Sequence, residues 1–304
     1  MIHGVINIYK EKGYTSHDVV AKLRGIVGQK KIGHTGTLDP DAVGVLPVCL
    51  GKATKLCDML TDKDKTYETV LRLGITTDTQ DSSGRVLEEK EIDGITKEVV
   101  EACIESFIGD YMQIPPMYSA LKVNGKKLYE LAREGKEIER KARGVTIYDI
   151  QITDISLPYV SMTVSCSKGT YIRTLCHDIG GKLGCGGCMD ALKRTRVSRF
   201  DISQSVTLGK VEELVKAGRL SEILIPIDEM FASYEKVTVK KEFASLVYNG
   251  NFFLPKHILE QRTRSHKTPV RVYDEAGVFL AIYEFDGRRN LFGIQKMFYS
   301  KDEK

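Results

Sequence analysis

The segment GHTGTLDPDAVGVLPV, residues 33–48, places an aspartate in a turn among glycines and threonines. Asp-Pro is a common turn dipeptide, so Asp39 could simply accept backbone hydrogen bonds at the loop. A carboxylate held at the end of a rigid loop could instead attack a substrate as a nucleophile. The segment alone leaves both interpretations open.

A second segment, CSKGTYIRTLCHDIGGKLG at residues 166–184, predicts a helix with an arginine in its first turn. Thr170 can cap this helix, and its apolar residues recur at helical spacing. The helix dipole disfavours a cation in the first turn by about 0.3–1 kcal/mol. A solvated arginine is the simplest interpretation, but a carboxylate or phosphate partner explains the position of Arg173 better.

Basic residues cluster in two further segments. Residues 122–143 hold eight lysines and arginines against four glutamates, and residues 193–199 hold four basic residues and no acid. Charge runs are usually solvated faces. Two such clusters with tyrosines nearby are also typical of a groove for a polyanion. The net charge of +4 by itself indicates little about nucleic acid.

Four side chains raise the alternative of a metal site, namely Cys176, His177, Cys185 and Cys188. Their spacing has only one arm of the Cys-x-x-Cys type and differs from the common zinc motifs. Cys176 also belongs to the apolar face of the predicted helix. We therefore predict no metal site.

The coarse pattern predicts an α+β fold in about two domains, because 304 residues exceed the usual size of one domain. Ser16 can cap a helix with apolar residues at helical spacing. Another helix is predicted at residues 100–107, and strands are predicted at 66–73, 145–155 and 160–167. After about Tyr234 the sequence pattern changes and predicts short strands separated by turns, as in a small antiparallel barrel or meander. We predict domains at residues 1–233 and 234–304.

The sequence predicts a cytoplasmic protein that does not span a membrane. Its beginning lacks the pattern of a signal peptide, and its longest apolar run, residues 42–50, is far shorter than the roughly 20 residues of a membrane-spanning helix. Seven cysteines are an odd number and fit reduced thiols better than a disulfide framework.

Five segments in sequence resemble the successive motifs of the TruB family of tRNA pseudouridine synthases. They occur in the family's order across roughly residues 5–200, and they are GHTGTLDPDAVGVLPVCLGKATK, DKTYETVLRLGITTDTQDSSG, PPMYSALKVNGKKLYELAREG, CSKGTYIRTLCHDIG and LKRTRV. The resemblance implies a pseudouridine synthase catalytic domain with a mixed or antiparallel sheet. It also implies that the β-rich residues 234–304 form a PUA-like RNA-binding domain, for which the match is weaker.

The resemblance further implies an isomerisation of uridine to pseudouridine at position 55 in the T loop of tRNA. The family cleaves the bond from uracil N1 to ribose C1′, turns the base and rejoins it through C5, without a cofactor. The expected partner is therefore the T-arm stem-loop of tRNA, with no obligatory protein partner. Whether the nucleophile attacks C6 of the base or C1′ of the ribose stays open.

By resemblance, Asp39 is the nucleophile and Arg173 pairs with it, which would keep the carboxylate ionised and oriented. Tyr67 matches the tyrosine that stacks on the target base, and Tyr171 and Leu192 match residues of the uracil pocket. His34 matches the residue that approaches the space left by the flipped base. The expected RNA contacts are His34 together with Lys122, Lys126, Lys127, Lys193, Arg194 and Arg196.

Two positions depart from the family's pattern. Glu11 stands where a proline is usual, and Val43 stands where a small polar residue is common. Two other functions are alternatives for this sequence: a tRNA-binding chaperone without essential catalysis, and a nucleoside hydrolase. A paired carboxylate facing RNA favours the enzyme over the chaperone, and no second carboxylate is evident that would activate water for a hydrolase.

Overall fold

A large mixed sheet lies at the centre of the computed structural model, which describes residues 1–61, 63–123 and 125–300. The described strands are β1 Gly4–Lys10, β2 Ile32–His34, β3 Val43–Leu50, β4 Lys65–Leu73, β5 Ile75–Thr77, β6 Val86–Glu89, β7 Gly109–Gln113, β8 Lys122–Val123, β9 Lys126–Lys127, β10 Arg143–Ser156, β11 Tyr159–Cys166, β12 Gly187–Val197, β13 Phe200–Asp201, β14 Glu235–Thr238, β15 Thr268–Tyr273, β16 Phe279–Asp286 and β17 Leu291–Met297. The order of the large sheet is β1-β3-β12-β4-β11-β10-β7, with β2 paired to β3 and β13 paired to β12.

Helices cover and connect these strands, which makes the fold α+β, as predicted. The α-helices are α1 Ser16–Val27, α2 Cys57–Thr61, α3 Lys97–Glu105, α4 Leu128–Arg133, α5 Ile172–Leu183, α6 Leu208–Lys216 and α7 Ala244–Tyr248. Among the described residues no helix is long and apolar enough to cross a membrane.

One parallel pairing matters for the site. Strands β3 and β12 run parallel, and their register sets Val43 beside Lys193 and Gly44 beside Arg194. All other pairs of the large sheet are antiparallel. The pairing with β12 fixes the start of β3, where the Asp39 loop ends.

The cap of helix α1 differs from the prediction. Thr15, not Ser16, is the N-cap, and it forms a reciprocal capping box with Asp18. Ser16 is buried and its hydroxyl accepts from the backbone N–H of Leu38 at 2.9 Å. The residue predicted to cap the helix therefore ties the helix to the Asp39 loop.

Helix α5 also begins one residue later than its predicted cap implies. Tyr171 occupies the N-cap without a side-chain cap bond, and the Thr170 hydroxyl donates to the Ser167 carbonyl at 3.0 Å. The predicted apolar face is buried, but so is Arg173 at 5% exposure. The arginine of the first turn therefore points into the protein.

The last part of the described chain forms a sheet of its own, in the order β14-β15-β16-β17. Strands β15 to β17 form the predicted antiparallel meander, whereas β14 pairs with β15 in parallel. Ile282 and Phe298 share a core with Val5 and Val45 of the large sheet. The boundary between residues 233 and 234 stays a prediction, and residues 301–304 of the predicted second domain lie outside the described part.

Candidate active site

Asp39 lies in the loop between β2 and β3, and neighbouring elements hold this loop on several sides. Leu38 is buried and bonded to Ser16. The ammonium of the buried Lys10 donates to the Pro40 carbonyl at 3.0 Å. Within the loop, the N–H of Ala42 donates to the Asp39 carbonyl at 3.1 Å. These bonds restrict the positions that the Asp39 carboxylate can take.

Arg173 binds both carboxylate oxygens of Asp39. Its Nε lies 3.0 Å from Oδ2 and its Nη2 donates to Oδ1 at 3.3 Å. The Arg173 side chain is 6% exposed, whereas that of Asp39 is 36% exposed. The guanidinium therefore holds the carboxylate from inside the protein, and part of the carboxylate stays accessible to a substrate.

The remaining donors of Arg173 bind the segments that surround the site. Nη1 donates to the Thr79 carbonyl at 3.2 Å and Nη2 to the Tyr118 carbonyl at 2.8 Å. Nη1 also lies 3.7 Å from Oδ2 of Asp81. Two carboxylates thus face the cation, which offsets its unfavourable position in the first turn of α5.

The sequence does not single out Asp81, because residues 79–84 form a cluster of Asp, Ser and Gly that is typical of a polar turn. The turn is present: Oδ1 of Asp81 accepts from the Thr79 hydroxyl at 2.7 Å and from the Ser83 N–H at 3.1 Å. Its other oxygen, Oδ2, faces Arg173. The local sequence indicates only the turn. No nearby residue indicates that the same carboxylate also faces an arginine far along the chain.

The pKa of Asp39 is raised above its ordinary value, and burial is the largest cause. Arg173 opposes this shift, while the charges of Asp81 and Asp41 add to it and Lys10 opposes it. Arg173 alone was expected to keep Asp39 ionised, and its effect has the expected sign. Desolvation and the neighbouring carboxylates raise the pKa by more than Arg173 and Lys10 lower it, so the net shift of the Asp39 pKa is upward.

Tyr67 and Leu192 pack in the same core cluster as Leu38 and Ala42 of the Asp39 loop. Tyr67 is buried on β4, and this burial raises the pKa of its phenol to about 12. Its phenol is therefore neutral at ordinary pH. Leu192 is partly buried on β12. The structure thus brings these two predicted pocket residues to the loop that carries Asp39.

Tyr171 is half-buried at the start of α5, two residues before Arg173. The buried side chain of Gln113 brackets its backbone: Oε1 accepts from the Tyr171 N–H at 2.7 Å and Nε2 donates to the Tyr171 carbonyl at 2.9 Å. Burial raises the pKa of the Tyr171 phenol. Gln113 was not predicted, since a lone glutamine in a strand carries no signal for this contact.

His34 ends β2 at the start of the loop and is half-buried. Its ring meets the ring of His17 edge to face, with centroids 5.4 Å apart. Its Nδ1 accepts from the Gly36 N–H at 3.3 Å. Burial lowers the pKa of His34, and the neighbouring His17 and Arg194 lower it further. A lowered pKa favours the neutral imidazole of His34, which lies at the start of the Asp39 loop.

Most of the predicted basic contacts reach the surface. Lys122, Lys126 and Arg196 are exposed, and Lys127 is half-buried in the β8–β9 hairpin. Lys193 is half-buried and pairs with Glu68 at 2.9 Å. Arg194 is the exception, because it is 1% exposed. The expected surface position of Arg194 is wrong: its side chain is buried where β12 meets β3 and β4, whereas Arg196, beyond a β-bulge in β12, is exposed.

The four side chains of the alternative metal site are not gathered as ligands. Cys176, Cys185 and Cys188 are buried, and each is a free thiol, as are the other four cysteines. Within residues 1–61, 63–123 and 125–300 no group of three or more His, Cys, Asp or Glu side chains is placed to hold a metal ion.

Comparisons with known proteins agree over nearly the whole chain. Residues 24–172 match the TruB family pseudouridylate synthase (N terminal domain), and residues 173–232 match the tRNA pseudouridylate synthase B C-terminal domain. A tRNA pseudouridine synthase B from Lachnoclostridium phytofermentans is 54% identical over 98% of this chain and 100% of the relative. One from Clostridium novyi is 46% identical over 97% of this chain and 98% of the relative.

Solved structures show the same fold. A chain in the crystal structure of a Cbf5-Nop10-Gar1 complex superposes with a TM-score of 0.72 at 26% identity, covering 98% of this chain and 86% of that chain. A chain in an H/ACA RNP bound to a substrate RNA containing 2′-deoxyuridine also has a TM-score of 0.72, at 24% identity, with the same coverage. Two consecutive family matches and close full-length relatives establish that this chain belongs to the TruB family of pseudouridylate synthases.

Proposed function

We propose that this chain isomerises uridine to pseudouridine at position 55 in the T loop of tRNA. Family membership and the names of its close relatives support the reaction and the tRNA substrate. The observation that carries the proposal is the carboxylate of Asp39, which is bound at both oxygens by a buried arginine and is still partly exposed. A carboxylate that is held in one position and is still partly exposed can contact a substrate, as a nucleophile must.

The chemistry needs a carboxylate that can bond to the nucleotide and leave again. Asp39 adds to the nucleotide, the bond from N1 to C1′ breaks, and a bond from C5 to C1′ forms. The bond to Asp39 then breaks, C5 loses its proton and N1 gains one. No atom is gained or lost overall, so we propose no cofactor. Because only the ionised carboxylate is a nucleophile, its raised pKa makes activity fall with decreasing pH sooner than for an ordinary aspartate.

The neighbouring side chains fit a pocket for an extruded base. We propose that the Tyr67 ring stacks on the uracil and that Tyr171 and Leu192 line the pocket. Leu38, Tyr67 and Leu192 belong to one apolar cluster next to Asp39, which supports this role. Extruding a base costs a few kcal/mol, and the ring of His34, held against His17, is placed to refill the stack.

Two basic surfaces support RNA binding. Lys122, Lys126 and Lys127 lie on the β8–β9 hairpin, in the segment that leads from Tyr118 at the site. A second surface joins the two sheets at Lys55, whose ammonium donates to the Met297 carbonyl at 2.7 Å. Partial burial lowers the pKa of Lys55, and the nearby charges of Lys31, Lys52 and Lys296 lower it further.

The lysines around Lys55 support the proposal that residues 234–304 form a PUA-like RNA-binding domain, since Lys296 belongs to that region. We also propose that the chain acts without an obligatory protein partner, because it supplies every group named for the reaction. A cytoplasmic location is proposed from the tRNA substrate and from the seven free thiols.

The test is to incubate the purified chain with an unmodified tRNA transcript and to map pseudouridine by nucleotide position. We expect one modified position, in the T loop at position 55, and none in a transcript that carries cytidine there. Modification confined to another loop would overturn the T-loop assignment. Tight tRNA binding without any pseudouridine would instead support the chaperone.

A further inference from the structure

Arg194 is fully buried where three strands of the large sheet meet. In the register of the sheet it lies beside Gly44 of β3 on one side and beside Tyr67 of β4 on the other. A Cβ atom on Gly44 would lie 2.2 Å from the Arg194 carbonyl, and Gly44 has a φ of +108°. Only glycine allows β3 to approach β12 this closely, so the end of the Asp39 loop is packed directly onto Arg194.

The guanidinium of Arg194 binds the backbone on both sides of Asp39. Its Nε donates to the Val45 carbonyl at 2.8 Å, after the loop. Its two Nη atoms contact the carbonyls of Gly36 and Thr37, before Asp39, at 3.3 and 3.5 Å. Five donors in a planar fork allow one side chain to bridge both ends of the loop, which a lysine cannot do.

Arg194 also reaches the second residue of the proposed pocket. Arg194 is the register partner of Tyr67, and its guanidinium opposes the rise that burial causes in the pKa of the Tyr67 phenol. No carboxylate of the described residues forms a salt bridge with it. A buried cation held by backbone carbonyls is costly, so its contacts specify one arrangement of the groups around it.

We propose that Arg194 is a positioning residue, which fixes the Asp39 loop and Tyr67 of the adjacent strand relative to each other, and not a contact to RNA. This inference rests on the proposed function. It predicts that a loss of the fork displaces the nucleophile from the target base while leaving the RNA-binding surface intact. A misplacement of about 1 Å can cost roughly 100-fold in rate.

The test compares Arg194→Lys with a matched control, Arg271→Lys. Arg271 also binds three backbone carbonyls, those of Tyr234 at 3.0 Å, Ala232 at 3.4 Å and Asp228 at 3.5 Å. Arg271 lies on β15, and the segment that it binds, residues 228–234, leads into β14 of the C-terminal sheet, away from Asp39. Both variants keep the positive charge and lose the planar guanidinium. A loss of activity that is common to both therefore measures the general cost of replacing an arginine that binds backbone carbonyls.

For Arg194→Lys we expect kcat on unmodified tRNA to fall about 30-fold, within the range for small misplacements. We expect the Kd for tRNA and its salt dependence to stay within about threefold, because a buried side chain releases no counterions. Amide hydrogen exchange should accelerate in residues 35–45 for Arg194→Lys and in residues 228–235 for Arg271→Lys. If Arg194→Lys does not fold, Arg194→Gln is measured in the same way.

A kcat within twofold of the parent, or the same loss of kcat in both variants, would overturn the proposal. So would weaker binding and a reduced salt slope with unchanged kcat, which identify an RNA contact. If the parent chain makes no pseudouridine, the proposed function fails, but the exchange measurement still tests whether Arg194 holds the loop.

Discussion

Replacing Arg173 with lysine tests whether its fork, and not only its charge, controls Asp39. Arginine uses four donor contacts here: two to the Asp39 carboxylate, at 3.0 and 3.3 Å, and one each to the carbonyls of Thr79 and Tyr118. A single ammonium cannot meet groups that lie on different sides of a planar fork. Arg173→Lys therefore keeps the charge and loses at least one bond to Asp39.

The magnitude follows from the bonds that are lost. A hydrogen bond to a charged group contributes about 1.5–3 kcal/mol. The lower end applies to the bond with Asp39, whose side chain is 36% exposed and screened by solvent. A loss of about 1.4 kcal/mol in transition-state stabilisation lowers the rate tenfold, so we expect kcat/KM of Arg173→Lys at neutral pH to fall about tenfold. The half-buried carbonyls of Thr79 and Tyr118 also lose their donor, which should lower the free energy of unfolding by roughly 2 kcal/mol, at about 1 kcal/mol for each bond.

The same substitution should move the acid limb of the pH–rate profile. Arg173 lowers the pKa of Asp39 against the larger effect of burial. A weaker partner lets the pKa rise further, so the ionised nucleophile is lost at a higher pH and the acid limb of kcat/KM moves to higher pH. The assay is release of a hydrogen label from C5 of the target uridine, measured across pH.

Arg264→Lys is the control for lost stability. Arg264 forms a similar two-bond pair with Glu235 in the C-terminal sheet, at 2.7 and 2.9 Å, and its side chain is 3% exposed. We expect this variant to lose stability without a shift of the acid limb. An unchanged limb in Arg173→Lys, or the same shift in both variants, would refute the electrostatic role of Arg173.

Two further predictions concern RNA binding and metal. Lys296→Gln should weaken tRNA binding and reduce the slope of log K against log salt by about one, whereas Lys216→Gln, on α6, should change neither; equal slopes in all three proteins would remove Lys296 from the RNA contacts. A chelator should leave both thermal unfolding and activity unchanged, because the described residues gather no metal ligands, and stoichiometric zinc in the purified protein would contradict this.

Deleting the C-terminal sheet would be a poorer test of its role in binding. Ile282 and Phe298 pack with Val5 and Val45 in one core, so a truncation would expose apolar surface of the large sheet. Replacing the half-buried Lys296 with glutamine removes one charge and leaves that core in place. The sequence pattern of short strands predicted the meander but gave no sign of the shared core, which depends on contacts between distant segments.

Periodicity predicted the main elements well, and local chemistry predicted the pairing of Arg173. The strands predicted at 66–73, 145–155 and 160–167 agree with β4, β10 and β11 to within two residues at each end. An arginine in the first turn of α5 indicated a missing anion, and the structure supplies Asp39 and Asp81. The dipole of a helix is a local property, so the sequence is sufficient to detect such a mismatch.

Burial of polar residues was harder to predict. The sequence predicts Ser16 as a helix cap and Arg194 as a contact to RNA, yet both are buried and bonded to the Asp39 loop. In this basic cluster the buried and the exposed positions carry the same charge, and a β-bulge between Arg194 and Arg196 interrupts the alternation of β12. Only the register of β3, β12 and β4 shows that Arg194 faces the loop and Tyr67.

The most direct test of the central claim is the rate of label release from C5 of the target uridine by Asp39→Asn. The amide is nearly isosteric with the carboxylate and can still accept from Arg173, but it is a far poorer nucleophile. We predict no release above background, with the Kd for unmodified tRNA within about tenfold of the parent. Near-normal release by the folded variant would contradict the account and leave Asp39 as a turn residue.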